Sequence, residues 1–381
     1  MTISTEGADF ELTWPRDLFA DEAKALLLFD THDRAWGERC ELLLEDAFSG
    51  STPVDLVRNA VSSLANGWDD PWSTPPAGAA QPTTKRQVLQ QLADQAHQLK
   101  EVGMRVPYWP ERRTGTAPGT LSLQSVARQF SQEVATLTAR GYFEKAFDKD
   151  CVDAPAEVDP ASVLETHLGI ADLWPLDPFR LSVDRDVFFG VIEVLHDLVA
   201  RPRGRSLHSY SGCGWHYNEF ALDPGRRLYR WRVNRLLDRS EVGLQLAASG
   251  EDEGRLVAVT DDARTELAGT MAARQDERTG DRVRHALALF RRRGATEHDK
   301  RSAVVALALV LEERRRLLKD NLGKDEGALF NIANNFAIRH QRDDQVDNYD
   351  PVFLDWIFWW YLATIELSDR LLARGEATSS G

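Results

Sequence analysis

Seven consecutive residues, WIFWWYL at 356–362, restrict this chain more than any other feature. They sit in "VFLDWIFWWYLATIEL" (352–367), which is interrupted by Asp355 and too short to span a bilayer. A single exposed helix would not carry this much apolar surface, so the segment must fill the core of a helical bundle, and its breadth predicts a homodimer seam as well. The neighbouring sequence supplies partners. "KRSAVVALALVLEERRRLLKDNLG" is strongly amphipathic, and long helices are expected at roughly 262–293, 295–320, 326–342 and 351–374. Pro351 occupies a first-turn position of the last of these. A four-helix bundle is the natural way to pack them.

The N-terminal part also reads as helices. "PRDLFADEAKALLLF" and "DRAWGERCELLLEDAF" place apolar residues three and four apart, and "TPVDLVRNAVSSLANG" starts with a Thr cap and stops at Gly67. "WDDPWSTPPAGAAQPTT" (68–84) is too rich in Pro and Gly for a helix or central strand and is the clearest linker. Two further amphipathic helices follow, each closed by a Gly. From about 161 the texture changes to short helices and aromatic loops. "GLQLA" and "GRLVAV" around the turn "ASGEDE" form the only convincing β-hairpin, at about 242–259. The expected organisation is therefore mainly α: an N-terminal helical region 1–160, a middle helical region 161–275 bearing that hairpin, and a C-terminal bundle 276–381.

Charge and cysteine content narrow the function. Cys40, Cys151 and Cys213 are far apart, odd in number and without a CxxC pair, which fits a reducing cytoplasm and suggests no disulfide framework. The acidic start of the chain lacks a signal-peptide pattern. A net charge of −14 opposes polyanionic partners, yet the charge is uneven. Residues 1–160 hold 15 Lys and Arg against 25 Asp and Glu, whereas residues 201–235 hold eight Arg against Glu219 and Asp223. Residues 281–342 hold 14 basic and eight acidic side chains. Such asymmetry suits a local nucleic-acid-binding face, and equally suits Arg-rich solvated helices.

"NNFAIRHQ" (334–341) is the densest polar cluster. On a regular helix Asn331, Asn334, Asn335 and Arg342 share a face, with Arg339 at its edge, while His340 falls on the opposite side with Phe336 and Ala337. A basic helix, a helix carrying "NIANNFAIRHQ" and a final helix "FLDWIFWWYLATIELSDRL" together resemble the C-terminal domain of HEPN-type proteins of bacterial abortive infection. The "RVNRLL" helix and charged hairpin are similar to segments found upstream of that domain. The resemblance covers about a quarter of the chain. It implies a bundle of about four to five helices, usually dimeric, with metal-independent RNA cleavage by an Arg, an adjacent polar residue and a His four to six positions on. Asn335 takes the polar position and His340 the His position, whereas Asn334 stands where the family has Arg, and the nearest guanidinium is Arg339. In that scheme His340 deprotonates the ribose 2′-hydroxyl, Arg339 stabilises the phosphoryl oxygens and Asn335 orients the scissile group.

Other motifs stand beside it. "HSYSGCGWHY" offers His208, Cys213 and His216, but three local donors do not close a structural zinc site, so the leading expectation has neither metal nor cofactor, and a metal-stabilised binding protein centred on Cys213 stands as a third reading. The flanks "RPRGR" and "RRLYRWR" mix Arg with aromatics, as single-stranded RNA binders do, which nominates Arg226, Arg227, Arg230 and Arg232, with Arg342 from the C-terminal region. The competing reading is an amphipathic helix whose Tyr229 and Trp231 pack inward. No P-loop or GxSxG elbow is present. The leading expectation is a cytoplasmic RNA-binding protein, able to cut RNA in a defence or toxin-like response, homodimeric, with an antitoxin or defence partner and no membrane attachment. The alternative is a non-catalytic interaction or sensor module with a buried Asn/His network that sets helix register.

Overall fold

The structure is a computed structural model and describes residues 3–29, 33–61, 83–102, 109, 112, 120–153, 155–259, 262–273, 277–292, 295–323, 325–335 and 352–379. It is mainly helical, as expected. The chain divides into two compact units, Met1–Glu241 and Val242–Gly381.

The first unit begins with α1 (Arg16–Leu27), α2 (Asp33–Ala47), α3 (Thr52–Asn59) and α4 (Lys85–Asp94). Thr84 starts α4 with a capping box, accepting from the Gln87 backbone while the Gln87 side chain accepts from the Thr84 N–H. Helix α5 (Leu123–Ala139) follows, then α6 (Pro160–Leu168), α7 (Pro178–Val183) and α8 (Arg185–Leu198). The last three each begin at an Asp whose carboxylate accepts first-turn N–H bonds: Asp159, Asp177 and Asp184. The unit closes with strands β1 (Arg201–His208) and β2 (Gly214–Ala221) and helix α9 (Leu222–Leu237). Helix α9 packs against α1, α5, α8 and β1. Phe130 of α5 meets Phe188 of α8 and Tyr229 of α9 edge to face, with centroids 5.4 and 6.4 Å apart. Residues 1–160 and 161–241 thus contribute to one core.

Strands β1 and β2 are antiparallel, with Arg201 opposite Ala221 and His208 opposite Gly214. This hairpin is a correction to the sequence reading, which recognised only the one near 242–259. Its β1 strand, RPRGRSLH, has no apolar alternation. It is held instead by packing on α2 and α9 and by arginine pairs: Arg201 and Arg203 to Glu22, and Arg205 to Glu45 at 2.6 Å.

The second unit carries the expected hairpin, β3 (Leu244–Leu246) with β4 (Leu256–Ala258). Among the described residues six helices follow: α10 (Asp262–Ala272), α11 (Glu277–Arg291), α12 (Glu297–Glu313), α13 (Arg315–Leu322), α14 (Asp325–Asn335) and α15 (Val352–Ser379). Helices α10, α11, α12 and α15 each pack on two of the others in a closed ring, the arrangement of a four-helix bundle. WIFWWYL supplies its interior: Ile357, Phe358 and Leu362 are fully buried, and Phe358 stacks on Phe290 at 3.7 Å. No helix among the described residues is long and apolar enough to cross a membrane.

Candidate nucleic-acid interface

The five arginines of helix α9, and Arg239 just beyond its end, play different roles, because the faces of the helix meet different neighbours. Leu228, Tyr229, Val233, Leu236 and Leu237 point into the core. Arg227 faces α1, where Asp17 and Asp21 each accept at 2.9 Å. Arg226 donates to the Asp197 carbonyl at 3.1 Å. Arg230 donates to Nε2 of His196 at 3.3 Å. That imidazole is buried, and burial lowers its pKa to about 4; Asp197 opposes the shift and Arg230 adds to it. Three of the arginines nominated from the sequence thus bond to acceptors within their own unit.

The fourth, Arg232, opens onto another surface. Arg232 and Arg235 of the helix, with Arg239 in the turn that follows it, lie on one side, facing α5. There, with Arg140 and Trp231, they line a groove of about 380 Å³. Arg232 bonds Glu133 at 3.2 Å, and Arg140 bonds Asp46 at 2.9 Å. Arg235 donates to the Val102 carbonyl and lies over the Trp231 ring at 4.4 Å. Burial pulls the Arg235 pKa down; Glu101 and Glu133 oppose that, and the positive charges of Arg232 and Arg239 reinforce it. Arg239 is exposed at the rim. Among the described residues the groove therefore combines four guanidiniums, one lining carboxylate and a half-buried indole. A phosphate would relieve the crowding of like charge, and a base could stack beside the Arg235–Trp231 pair.

Arg235 and Arg239 were not nominated from the sequence. The Arg232, Arg235, Arg239 spacing is itself a helical face and was the available signal. What concealed it was the outer face: Arg226, Arg227 and Arg230 look equally basic until their partners, up to 210 positions away in sequence, are known.

Of the C-terminal candidates, Arg339, His340 and Arg342 lie outside the described residues, as does Phe336. Asn334 and Asn335 form the last turn of α14, with side chains outside the described set, and Asn331 is exposed. Helix α14 is tied to α15 by the buried Tyr361 hydroxyl, which donates to the Leu329 carbonyl at 3.1 Å. His208 and His216 lie on β1 and β2, Cys213 lies between the strands, and Cys151 stands beside them.

Comparison with protein-family models, curated protein sequences and solved structures gives no match.

Proposed function

We propose that this protein binds single-stranded RNA, with phosphates held by Arg232, Arg235, Arg239 and Arg140 and a base stacked at Trp231. The observation that carries this reading is the gathering of four guanidiniums around one indole in the groove between α5 and α9. Arginine forks match phosphate oxygens, and aromatic faces accept any base, so the site favours a flexible strand over a sequence-specific duplex contact.

The test is fluorescence anisotropy with a labelled single-stranded oligoribonucleotide, competed by AMP and by duplex DNA. Four phosphate contacts give a slope of log affinity against log salt of about −3, and Arg239→Glu should reduce its magnitude by at least about 0.7. The same exposed substitution should weaken binding by about fivefold or more without moving Tm. Salt-independent binding, or an unchanged affinity in Arg239→Glu, overturns the assignment. Equal competition by AMP reassigns the groove to free nucleotides.

A second reading extends the first to RNA cleavage in a bacterial defence setting. It is favoured by the closed ring of α10, α11, α12 and α15, since the HEPN resemblance implies a bundle of this size. His340 would act as general base, Arg339 as phosphate clamp and Asn335 as orienting group, with Asn334 in the family's Arg position. Products ending in 2′,3′-cyclic phosphate that vanish in His340→Ala at unchanged Tm support it. Intact RNA after long incubation with the dimeric protein removes it.

A further inference from the structure

The hairpin that the sequence concealed brings together a set of donors found nowhere else among the described residues. Because His208 pairs with Gly214 and His216 with Ser206, the two imidazoles are diagonal neighbours on one face of β1–β2, with ring centroids 5.8 Å apart. Gly212 and Gly214 take positive φ angles of 74° and 76°, and the tight connection they form carries Cys213 to the same face. The fourth donor arrives from 57 positions upstream of His208. Cys151 lies on a strap after Phe147 that is ordered by its own acids: Asp148 accepts from the Glu157 and Val158 N–H groups at 3.1 and 3.2 Å. Lys149 fastens the strap to β2 by donating to the Trp215 carbonyl.

The donor atoms of Cys151, His208, Cys213 and His216 all lie within 4.8 Å of one another. The two sulfurs are 3.7 Å apart, and Cys151 Sγ is 3.3 Å from His208 Nδ1. A tetrahedral zinc ion with bonds of about 2.3 Å to sulfur and about 2.0 Å to nitrogen has edges of about 3.8 Å between sulfurs and about 3.5 Å from sulfur to nitrogen. These two separations are within a few tenths of an ångström of those edges. Two independent details point the imidazoles inward. His208 turns its other nitrogen, Nε2, to the Asp153 carboxylate at 3.2 Å, the carboxylate–imidazole–metal arrangement that fixes a ligand's tautomer. His216 Nε2 is buried with no hydrogen-bond partner among the described residues, while its Nδ1 faces Glu144 at 4.0 Å. A buried imidazole nitrogen without a partner is unfavourable in an apolar setting and becomes favourable as a metal ligand.

We infer that these four residues bind one zinc ion as a closed structural centre. His208 ligates through Nδ1, His216 through Nε2, and both cysteines as thiolates, so loading releases two thiol protons to solvent and yields an electrically neutral site. Thiolate and imidazole donors together favour zinc over calcium or magnesium. Four protein ligands leave no position for water, so the ion does no chemistry; it cross-links the Cys151 strap to the tip of the hairpin. This assignment is independent of RNA binding.

The experiment uses untagged full-length protein, with zinc measured by elemental mass spectrometry before and after reconstitution under reducing conditions. One zinc per chain is expected, retained in Cys40→Ser, whose thiol is buried in α2, and reduced at least tenfold in Cys151→Ser and in Cys213→Ser. Chelation should lower Tm by on the order of 10 °C. Should the cysteine variants fail to fold, two readouts remain. Cobalt-substituted wild type should show thiolate-to-cobalt charge-transfer absorption and tetrahedral d–d bands. Asp153→Asn, at an exposed position, should fold normally and bind zinc about tenfold more weakly. Reconstituted wild type holding less than about a tenth of an equivalent, a cobalt spectrum without thiolate bands, or a zinc content untouched by loss of Cys151 each overturns the inference.

Discussion

Glu22 offers a direct measurement of how the hairpin base is secured. Its carboxylate is buried in α1 and accepts from Arg201, which is itself only 4% exposed, and from Nε and Nη2 of Arg203 at 3.2 and 2.6 Å. Arg203 is 41% exposed and regains water if the carboxylate is lost, so it contributes little to the cost. Arg201 cannot. Among the described residues its Nε lacks a partner, and the face of Trp14 lies at 4.9 Å. Glu22→Leu therefore strands a buried cation, a change that costs about 3 to 5 kcal/mol. For a unit of this size that corresponds to a fall in Tm of about 10 °C. Arg201→Met alone leaves the carboxylate with the half-exposed Arg203 and should cost less. The double variant Glu22→Leu/Arg201→Met replaces the pair with hydrocarbon and should return to within about 2 kcal/mol of wild type, giving a coupling energy of about 2 to 3 kcal/mol. Urea and thermal unfolding of the four full-length proteins closes the cycle. A cost below about 1 kcal/mol for Glu22→Leu, or singles that simply add in the double, would refute the claim that this pair is sealed from solvent.

Two further outcomes follow from the same region. Because burial lowers the His196 pKa to about 4, below the ordinary 6.5 of an unfolded chain, the unfolded state binds the extra proton first. Stability from this residue is complete above about pH 6.5 and declines as pH falls toward 4, by at most about 3 kcal/mol; His196→Gln should flatten that part of a pH–Tm profile, and an unchanged slope would exclude His196 as its source. At Gly225, a Cβ would lie 2.6 Å from the Arg201 nitrogen and 2.8 Å from Ala200 backbone atoms, so Gly225→Ala must push α9 away from the start of β1. A loss of about 1 to 3 kcal/mol in urea unfolding is expected, and a neutral result would mean that the two backbones separate without cost.

The parts of this fold that could be read from the sequence are those specified by neighbouring residues. The helix starts at Thr84 and Thr296 are each announced by a partner three positions on, and both form capping boxes in the structure. WIFWWYL required a helical core and lies in one. The β3–β4 hairpin followed from its alternation and turn. The β1–β2 hairpin is specified differently: its β1 strand is mainly polar, and the partners of its arginines and of Glu219 sit on helices 160 or more positions earlier, as with Arg205 and Glu45 or Arg39 and Glu219. The same long-range pairing accounts for much of the charge asymmetry. The acidic first 160 residues and the arginines of 201–235 face one another, with Asp17, Asp21, Glu22 and Glu45 neutralising a surface that composition alone presents as free. The groove at Arg232, Arg235 and Arg239 is where, among the described residues, cations outnumber their lining carboxylates.

The cysteine and histidine set shows the same limit in its sharpest form. HSYSGCGWHY contains three donors within nine residues, and three donors do not make a structural zinc site. The fourth, Cys151, is separated from them by α6, α7 and α8 and is brought back only when the hairpin packs against the end of the preceding helical layer. This separation has an experimental consequence for the RNA reading. Chelators remove a structural ion as readily as a catalytic one, and releasing the Cys151 strap would loosen β2 and, through it, the start of α9, which carries the arginine groove. Loss of RNA binding in EDTA would then report the integrity of the hairpin and not a metal at the phosphate. Asp153→Asn separates the two, because it weakens zinc without touching the groove: if RNA affinity follows zinc occupancy across that variant while Arg239→Glu lowers affinity at full occupancy, the ion acts on the groove through the fold.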